Sequence, residues 1–220
     1  MCDDAQPVNE LIVRGVVVGV FGTNCYIVGS KQRGEAVVLD PGDQPEDILA
    51  LARDLGVRIT KIISTHAHLD HVLAAQAMKD ATGAPFFLHS SDSEILANVP
   101  DSAQRWLNRE IGAPPRPDVW LKGGEDLEIA GITLRALHTP GHTPGSISLY
   151  AEHANLLFSG DTLFRGTIGR TDLLGGDYNT IIQTLHTTLA ELPDETRVMP
   201  GHMQETTIGA EKATNPFFRA

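Results

Sequence analysis

The chain has 220 residues, of which 41% are hydrophobic, and this is enough to bury the core of one α/β domain. Its 28 acidic and 17 basic side chains give a formal net charge of −11, which disfavours binding to a nucleic-acid backbone. The two cysteines cannot build a disulfide framework, the start MCDDAQPVNE is unlike a secretory signal, and no apolar run reaches the ~20 residues of a membrane span, so we expect a cytoplasmic protein.

Short β-branched runs separated by glycine turns predict that the chain opens with an antiparallel sheet. A helix follows over 45–55, because its apolar residues form one stripe between a starting proline and Gly56. The proline-rich segment 102–118, which carries Trp106, predicts a lid or linking loop. In chain order the pattern predicts strands at 11–20, 25–28, 35–39 and 58–64, a helix at 73–82, strands at 85–88, 132–137, 146–150 and 156–159, a helix at 178–192 and a strand at 197–199.

Both halves of the chain run from strands to helices. Two sheets packed face to face, with helices outside, would bury both patterns. We therefore predict a single α/β domain over residues 1–220.

The segment THAHLDH, at 65–71, concentrates four potential metal ligands directly after a predicted strand. Its spacing suits two adjacent metal ions better than one, because the chain is extended first and then turns into a helix. Three more potential ligands lie beside glycines in later turns. Each of them alone would be an ordinary turn residue, and they indicate a metal site only together with the segment THAHLDH. The candidate metal ligands are His66, His68, Asp70, His71, His142, Asp161 and His202.

Imidazole and carboxylate groups suit zinc, iron or manganese. Because the set contains no cysteine, which is typical of structural zinc sites, we expect a catalytic site. Two such ions about 3.5–4 Å apart lower the pKa of a shared water, which favours hydrolysis. Four histidines have no other potential ligands clustered around them in the sequence and are predicted not to bind metal: His89, His138, His153 and His186.

The motif HAHLDH at 66–71, followed by PGH, GD and a final GH, resembles the metallo-β-lactamase superfamily. Within it, GDTLFRGTIGRTD at 160–172 and the tail NPF are similar to the glyoxalase II-like hydrolases. The resemblance spans nearly the whole chain and implies a four-layer αββα sandwich with the site at one edge of the two sheets. It also implies two divalent metal ions, zinc first and iron or manganese as alternatives: one held by His66, His68 and His142, the other by Asp70, His71 and His202, with Asp161 between them.

The resemblance implies hydrolysis of a small-molecule acyl thioester, with Asp70 holding both a metal and the proton of the nucleophile. Arg170 aligns with a basic residue that contacts a carboxylate of the thiol carrier, and Arg165 is a weaker candidate. An ion pair between Arg170 and Asp172 or Asp177 is an equal alternative. Asn24, Tyr26 and Asp40 can support the site, although a turn amide, a core ring and an Asp-Pro-Gly turn are simpler interpretations.

Two departures leave the substrate open. Only residues 203–220 follow His202, whereas the full glyoxalase II pattern adds a helical domain that contacts glutathione, and Ser146 stands where that family tends to have histidine. The alternatives are a mononuclear iron persulfide dioxygenase that uses His66, His142 and Asp161, a lactone or ester hydrolase, and a metal-binding protein without turnover. We expect neither nucleic-acid nor membrane partners, and the oligomeric state is left open.

Overall fold

Two six-stranded β-sheets form the centre of the structure, a computed structural model that describes residues 11–219. The first sheet contains, in spatial and chain order, β1 (Leu11–Val18), β2 (Thr23–Ser30), β3 (Glu35–Leu39), β4 (Arg58–Ile63), β5 (Phe86–His89) and β6 (Val119–Leu121). The second contains β7 (Asp126–Ile129), β8 (Ile132–His138), β9 (Ile147–Ala151), β10 (Leu156–Gly160), β13 (Arg197–Pro200) and β14 (Thr206–Thr207), in the spatial order β14-β13-β10-β9-β8-β7. A small hairpin of β11 (Leu163–Phe164) and β12 (Thr167–Ile168) follows β10.

The helices are α1 (Pro45–Leu55), α2 (Leu69–Val72), α3 (Ala75–Thr82), α4 (Ser93–Ala97), α5 (Val99–Leu107), α6 (Tyr178–Thr184) and α7 (Ile208–Thr214). Helix α1 confirms its predicted boundaries. Pro45 lies in the first turn, and Gly56 ends the helix with a φ of 69° while its amide donates to the last carbonyls. Among the described residues no helix is long and apolar enough to cross a membrane.

Three hydrophobic clusters define four layers. Successive residues of a strand point to opposite faces, so Ile27 joins the cluster under α1, α3, α4 and α5, whereas Val28 joins the cluster between the sheets. On the second sheet Phe158 faces the first sheet, and Leu157 faces α7 and the π-helical turn Leu185–Leu189. The layers are therefore helix, sheet, sheet and helix, and the predicted αββα sandwich is confirmed.

Strand directions bring four loops to one edge of the sandwich. In the first sheet β1 to β3 are antiparallel, as predicted, and β3 to β6 are parallel. In the second sheet β10 pairs parallel with β13. Strand β9 is antiparallel to both β8 and β10, so β8, β10 and β13 all run in the same direction. The loops after β4, β8, β10 and β13 carry five of the seven candidate metal ligands, and α2, which follows the first of these loops, carries Asp70 and His71.

The structure corrects the predicted elements at several places. The segment 102–118 is helical up to Leu107, so the loop prediction is wrong for its first residues. The predicted helix 73–82 corresponds to α3, which begins at Ala75, and the short helix α2 before it was not predicted. The predicted helix 178–192 is α-helical only to Thr184. Cys2 and the acidic start of the chain lie outside the described residues.

Candidate metal centre

The seven candidate ligands converge at the edge where the two sheets meet. Potential ligand atoms lie within 4.8 Å of one another in three groups: His66, His68 and His142; His66, His71 and Asp161; and Asp70, His71 and His202. Two of these groups are the trios that the family resemblance implies, and the third joins them through Asp161.

The first trio consists of three imidazoles. His142 Nε2 lies 2.8 Å from His68 Nδ1 and 3.2 Å from His66 Nε2. Burial lowers the pKa of His66 well below its usual value, and the neighbouring imidazoles lower it further. Burial and His142 likewise lower the pKa of His68 to about 3. All these shifts favour neutral rings with free lone pairs, the form that binds a metal ion.

The second trio mixes imidazole and carboxylate. His202 Nε2 lies 3.2 Å from Asp70 Oδ2 and 3.4 Å from His71 Nε2. Burial lowers the pKa of His71, but the carboxylates around it outweigh burial and raise it to about 10. Burial raises the pKa of Asp70, but His71 and His202 outweigh burial and hold it well below its usual range. The carboxylates around His71 therefore attract positive charge, which a proton or a metal ion can supply.

Asp161 lies between the trios. Its Oδ2 is 3.6 Å from His142 Nε2 and 3.6 Å from His202 Nε2, while its Oδ1 is 3.4 Å from His71 Nε2. Among the described residues Oδ1 is buried without a hydrogen-bond partner, an arrangement that is costly unless a cation is bound. This unpaired oxygen and the donor set around it fit two metal ions.

Hydrogen bonds fix the orientation of two ligand rings. His142 Nδ1 lies 2.7 Å from the carbonyl oxygen of Arg170, which can only accept, so Nδ1 donates and Nε2 keeps its lone pair. Thr65 Oγ1 donates to Asp40 Oδ2 and lies 3.1 Å from His66 Nδ1, so it accepts from that ring. In both rings the lone pair of Nε2 is directed at the metal centre.

Asp92 is a site residue that the sequence analysis missed. Its fully buried carboxylate accepts hydrogen bonds from the amide of Ala67 at 2.8 Å, the amide of Gly145 at 2.6 Å and the hydroxyl of Thr143 at 2.9 Å. It therefore joins the loop of His66 and His68 to the loop of His142. A lone aspartate in the segment HSSDS gives no local signal of this role.

Residues that the sequence analysis gave simpler interpretations also support the centre. Asp40 accepts from the amide and hydroxyl of Thr65, and its Oδ2 lies 3.2 Å from His71 Nδ1. Asn24 and Tyr26 donate to the carbonyl of Pro200, close before His202. Asp40 thus supports the segment that carries His66 and His71, and Asn24 and Tyr26 support the turn that carries His202.

The absence of a side chain at Gly201 allows Asp161 and His71 to lie against the backbone at this position. A Cβ on Gly201 would lie 2.4 Å from Asp161 Oδ1 and 2.8 Å from His71 Cε1, closer than real Cβ contacts. Any side chain at this position would therefore displace a candidate ligand.

The centre lies at the bottom of a cleft with a volume of about 540 Å³. His68, Asp70, His142, Asp161 and His202 line its base. The walls come from α5, from Phe21 in the turn after β1, and from the loop that carries Arg170, Leu173 and Leu174. This size is enough for a small organic substrate above the centre.

Arg170 and Arg165 differ in their surroundings. Arg170 lines the cleft, but Nε and Nη2 of its guanidinium donate to Asp172 at 2.7 and 2.8 Å, the ion pair that the sequence left open. Arg165 donates to Gln204 at 3.0 Å and is not among the residues that line the cleft. Substrate binding by these arginines remains a prediction.

The other four histidines do not join the three groups among the described residues: His89, His138, His153 and His186. His138 stacks on His89, with ring centroids 4.4 Å apart, and its Nε2 lies 2.8 Å from the carbonyl of Pro144.

Comparisons with known proteins cover most of the chain. The profile of the metallo-beta-lactamase superfamily matches residues 18–202. "Hydroxyacylglutathione hydrolase GloC" of Haemophilus influenzae is 36% identical over 207 residues, which are 93% of this chain and 97% of that protein. The crystal structure of "BLEG-1 B3 metallo-beta-lactamase" is similar with a TM-score of 0.88 and 36% identity, covering 95% of this chain and 100% of that one. The crystal structure of "TTHA1623 in a di-iron-bound form" gives a TM-score of 0.83 and 39% identity, over 93% and 100% of the two chains.

Proposed function

The chain belongs to the metallo-β-lactamase superfamily, and from this premise we propose that it is a hydrolase that uses two divalent metal ions, zinc by preference, to cleave an acyl thioester. The observation that carries the proposal is the pair of donor trios joined by Asp161 at the base of an open cleft. A small-molecule thioester is the proposed substrate, and no nucleic-acid or membrane partner is part of the proposal.

Each residue of the centre has a chemical task in this proposal. Metal ions bound by the two trios would polarise a substrate carbonyl and make a water molecule acidic enough to attack it. Asp70, whose pKa is held low so that it stays ionised, would help to hold a metal ion and would accept a hydrogen bond from that water. Thr23 Oγ1 donates to Asp70 Oδ2 at 3.0 Å and holds the carboxylate in this orientation.

Two observations favour a dinuclear hydrolase over the mononuclear iron dioxygenase. A mononuclear iron dioxygenase would use His66, His142 and Asp161 and would leave the second trio without a task. That trio is closely spaced, and a 39% identical protein has been crystallised with two irons. The name of the relative GloC supports a thioester substrate, whereas the similarity to the B3 metallo-beta-lactamase BLEG-1 makes β-lactams a necessary comparison.

The test is a substrate panel on protein reconstituted separately with zinc, manganese and iron. We expect thiol release from S-lactoylglutathione that chelation abolishes and metal restores, with His68→Ala inactive. The control His153→Ala, a histidine outside the three groups, should retain full activity. Oxygen uptake with glutathione persulfide, cleavage of a β-lactam or simple lactone as the only activity, or binding without turnover of any substrate, would overturn the proposal.

A further inference from the structure

The cleft contains a cation that the sequence analysis did not single out. Arg105, on the exposed side of α5, lines the cleft above the metal centre. Within residues 11–219 its guanidinium has neither an ion-pair partner nor a hydrogen bond to the protein. By contrast the guanidinium of Arg170, which also lines the cleft, donates through Nε and Nη2 to the carboxylate of Asp172.

The charges around Arg105 leave it available for an anion. Asp101 lies one turn earlier on α5 and also lines the cleft, but in the described part of the chain it makes no ion pair with Arg105. The other acids in the cleft, Asp70 and Asp161, belong to the donor set, where metal ions would compensate their charge. A guanidinium binds a carboxylate through two parallel hydrogen bonds, which makes Arg105 suited to a carboxylate carried by the substrate.

Apolar side chains lie in the same walls. Trp106, Phe21 and Leu174 line the cleft and are 55%, 42% and 52% exposed, unusually open for such large apolar groups. Exposed apolar surface inside a concave cleft is typical of a ligand-binding site. The walls thus offer apolar surface for the body of a substrate and, in Arg105, an unpaired guanidinium for its charged end.

We propose that Arg105 determines substrate specificity by binding a carboxylate on the thiol carrier of the thioester, while Trp106 packs against the atoms between that carboxylate and the sulfur. This inference rests on the proposed thioester hydrolysis and names its substrate class. Peptide-like thiols such as glutathione have such carboxylates, and a carrier without an anionic end lacks the group that Arg105 binds.

The experiment compares Arg105→Ala with Arg109→Ala in the metal-loaded enzyme. Arg109→Ala removes the same charge from the next turn of chain, but Arg109 pairs with Asp43 and does not line the cleft. The substrates are S-lactoylglutathione and the lactoyl thioester of N-acetylcysteamine, which has no carboxylate. For Arg105→Ala we expect a rise in KM of roughly 10-fold or more with the glutathione thioester, as for loss of a charge-assisted hydrogen bond, and less than about 2-fold with the neutral one.

Binding of S-methylglutathione, measured by calorimetry, gives a readout that does not need turnover. We expect its affinity to fall in Arg105→Ala, to be partly kept in Arg105→Lys and to be unchanged in Arg109→Ala. Equal losses in Arg105→Ala and Arg109→Ala would overturn the inference, because they would reflect net charge alone. Unchanged binding and KM in Arg105→Ala would also overturn it. If the unmodified enzyme cleaves neither thioester, the proposed function fails, and the calorimetry still decides whether Arg105 binds the carboxylate.

Discussion

Replacing Asp92 by asparagine tests whether one buried carboxylate holds the two halves of the ligand set together. The carboxylate accepts from the amides of Ala67 and Gly145 and from the hydroxyl of Thr143. An asparagine side chain of the same shape keeps one acceptor oxygen and turns the other into a donor. At least one backbone amide would then face an NH₂ group and lose its partner.

The expected magnitude follows from this hydrogen-bond count. A buried donor without an acceptor costs roughly 1–3 kcal/mol, so the unfolding free energy of Asp92→Asn should fall by about 2 kcal/mol. Loss of an interaction that orients ligand loops typically weakens metal binding roughly 10–100-fold. Since Asp92 joins the loops of the imidazole trio, we expect zinc affinity to fall within this range.

The assay is a competition of the purified variants with a fluorescent zinc chelator, combined with urea unfolding. Asp118→Asn is the matched control, because Asp118 accepts from the amide of Phe86 and pairs with Lys79 outside the cleft. It should lose some stability and keep its zinc affinity. If Asp92→Asn binds zinc as tightly as the unmodified chain while its stability falls, Asp92 supports the fold alone and the reasoning is refuted.

Two further predictions concern the second trio. Gly201→Ala should lower thioesterase activity and metal content together, because its Cβ would press on Asp161 and His71, whereas Gly112→Ala, with open space at its Cβ, should change neither. In chelator-treated protein the raised pKa of His71 stabilises the fold fully below its ordinary value of 6.5, and this contribution is lost as the pH rises toward 10. The melting temperature of chelated protein should therefore fall between pH 7 and 10 more steeply than that of zinc-loaded protein, and parallel curves for the two forms would contradict this assignment.

The periodicity of apolar residues and the clustering of histidines were the two sequence signals that predicted most of the fold and the metal centre. The strands and α1 follow strong local patterns, and the segment HAHLDH places four ligands within six positions, so chain order alone indicated a metal centre. Helix α5 was missed because the prolines after it predict a loop, although Pro100 lies in its first turn, where proline is compatible with a helix.

The positioning and recognition residues needed the fold. Asp92 meets Ala67 across 25 positions and Gly145 across 53, and no local pattern marks such a contact. Arg105 lines the cleft because α5 buries Val99 and Ala103 in the hydrophobic cluster under the helices of the first sheet, which leaves the other side of the helix exposed. The sequence instead indicated Arg170, whose guanidinium binds Asp172.

The number of metal atoms per chain tests the central claim most directly. Elemental analysis of protein purified without chelators and then equilibrated with zinc should give two atoms per chain. His68→Ala and His202→Ala, one variant in each trio, should each reduce this to about one. A single atom per chain in the unmodified protein, unchanged by His202→Ala, would show that the second trio does not bind metal and would contradict the account.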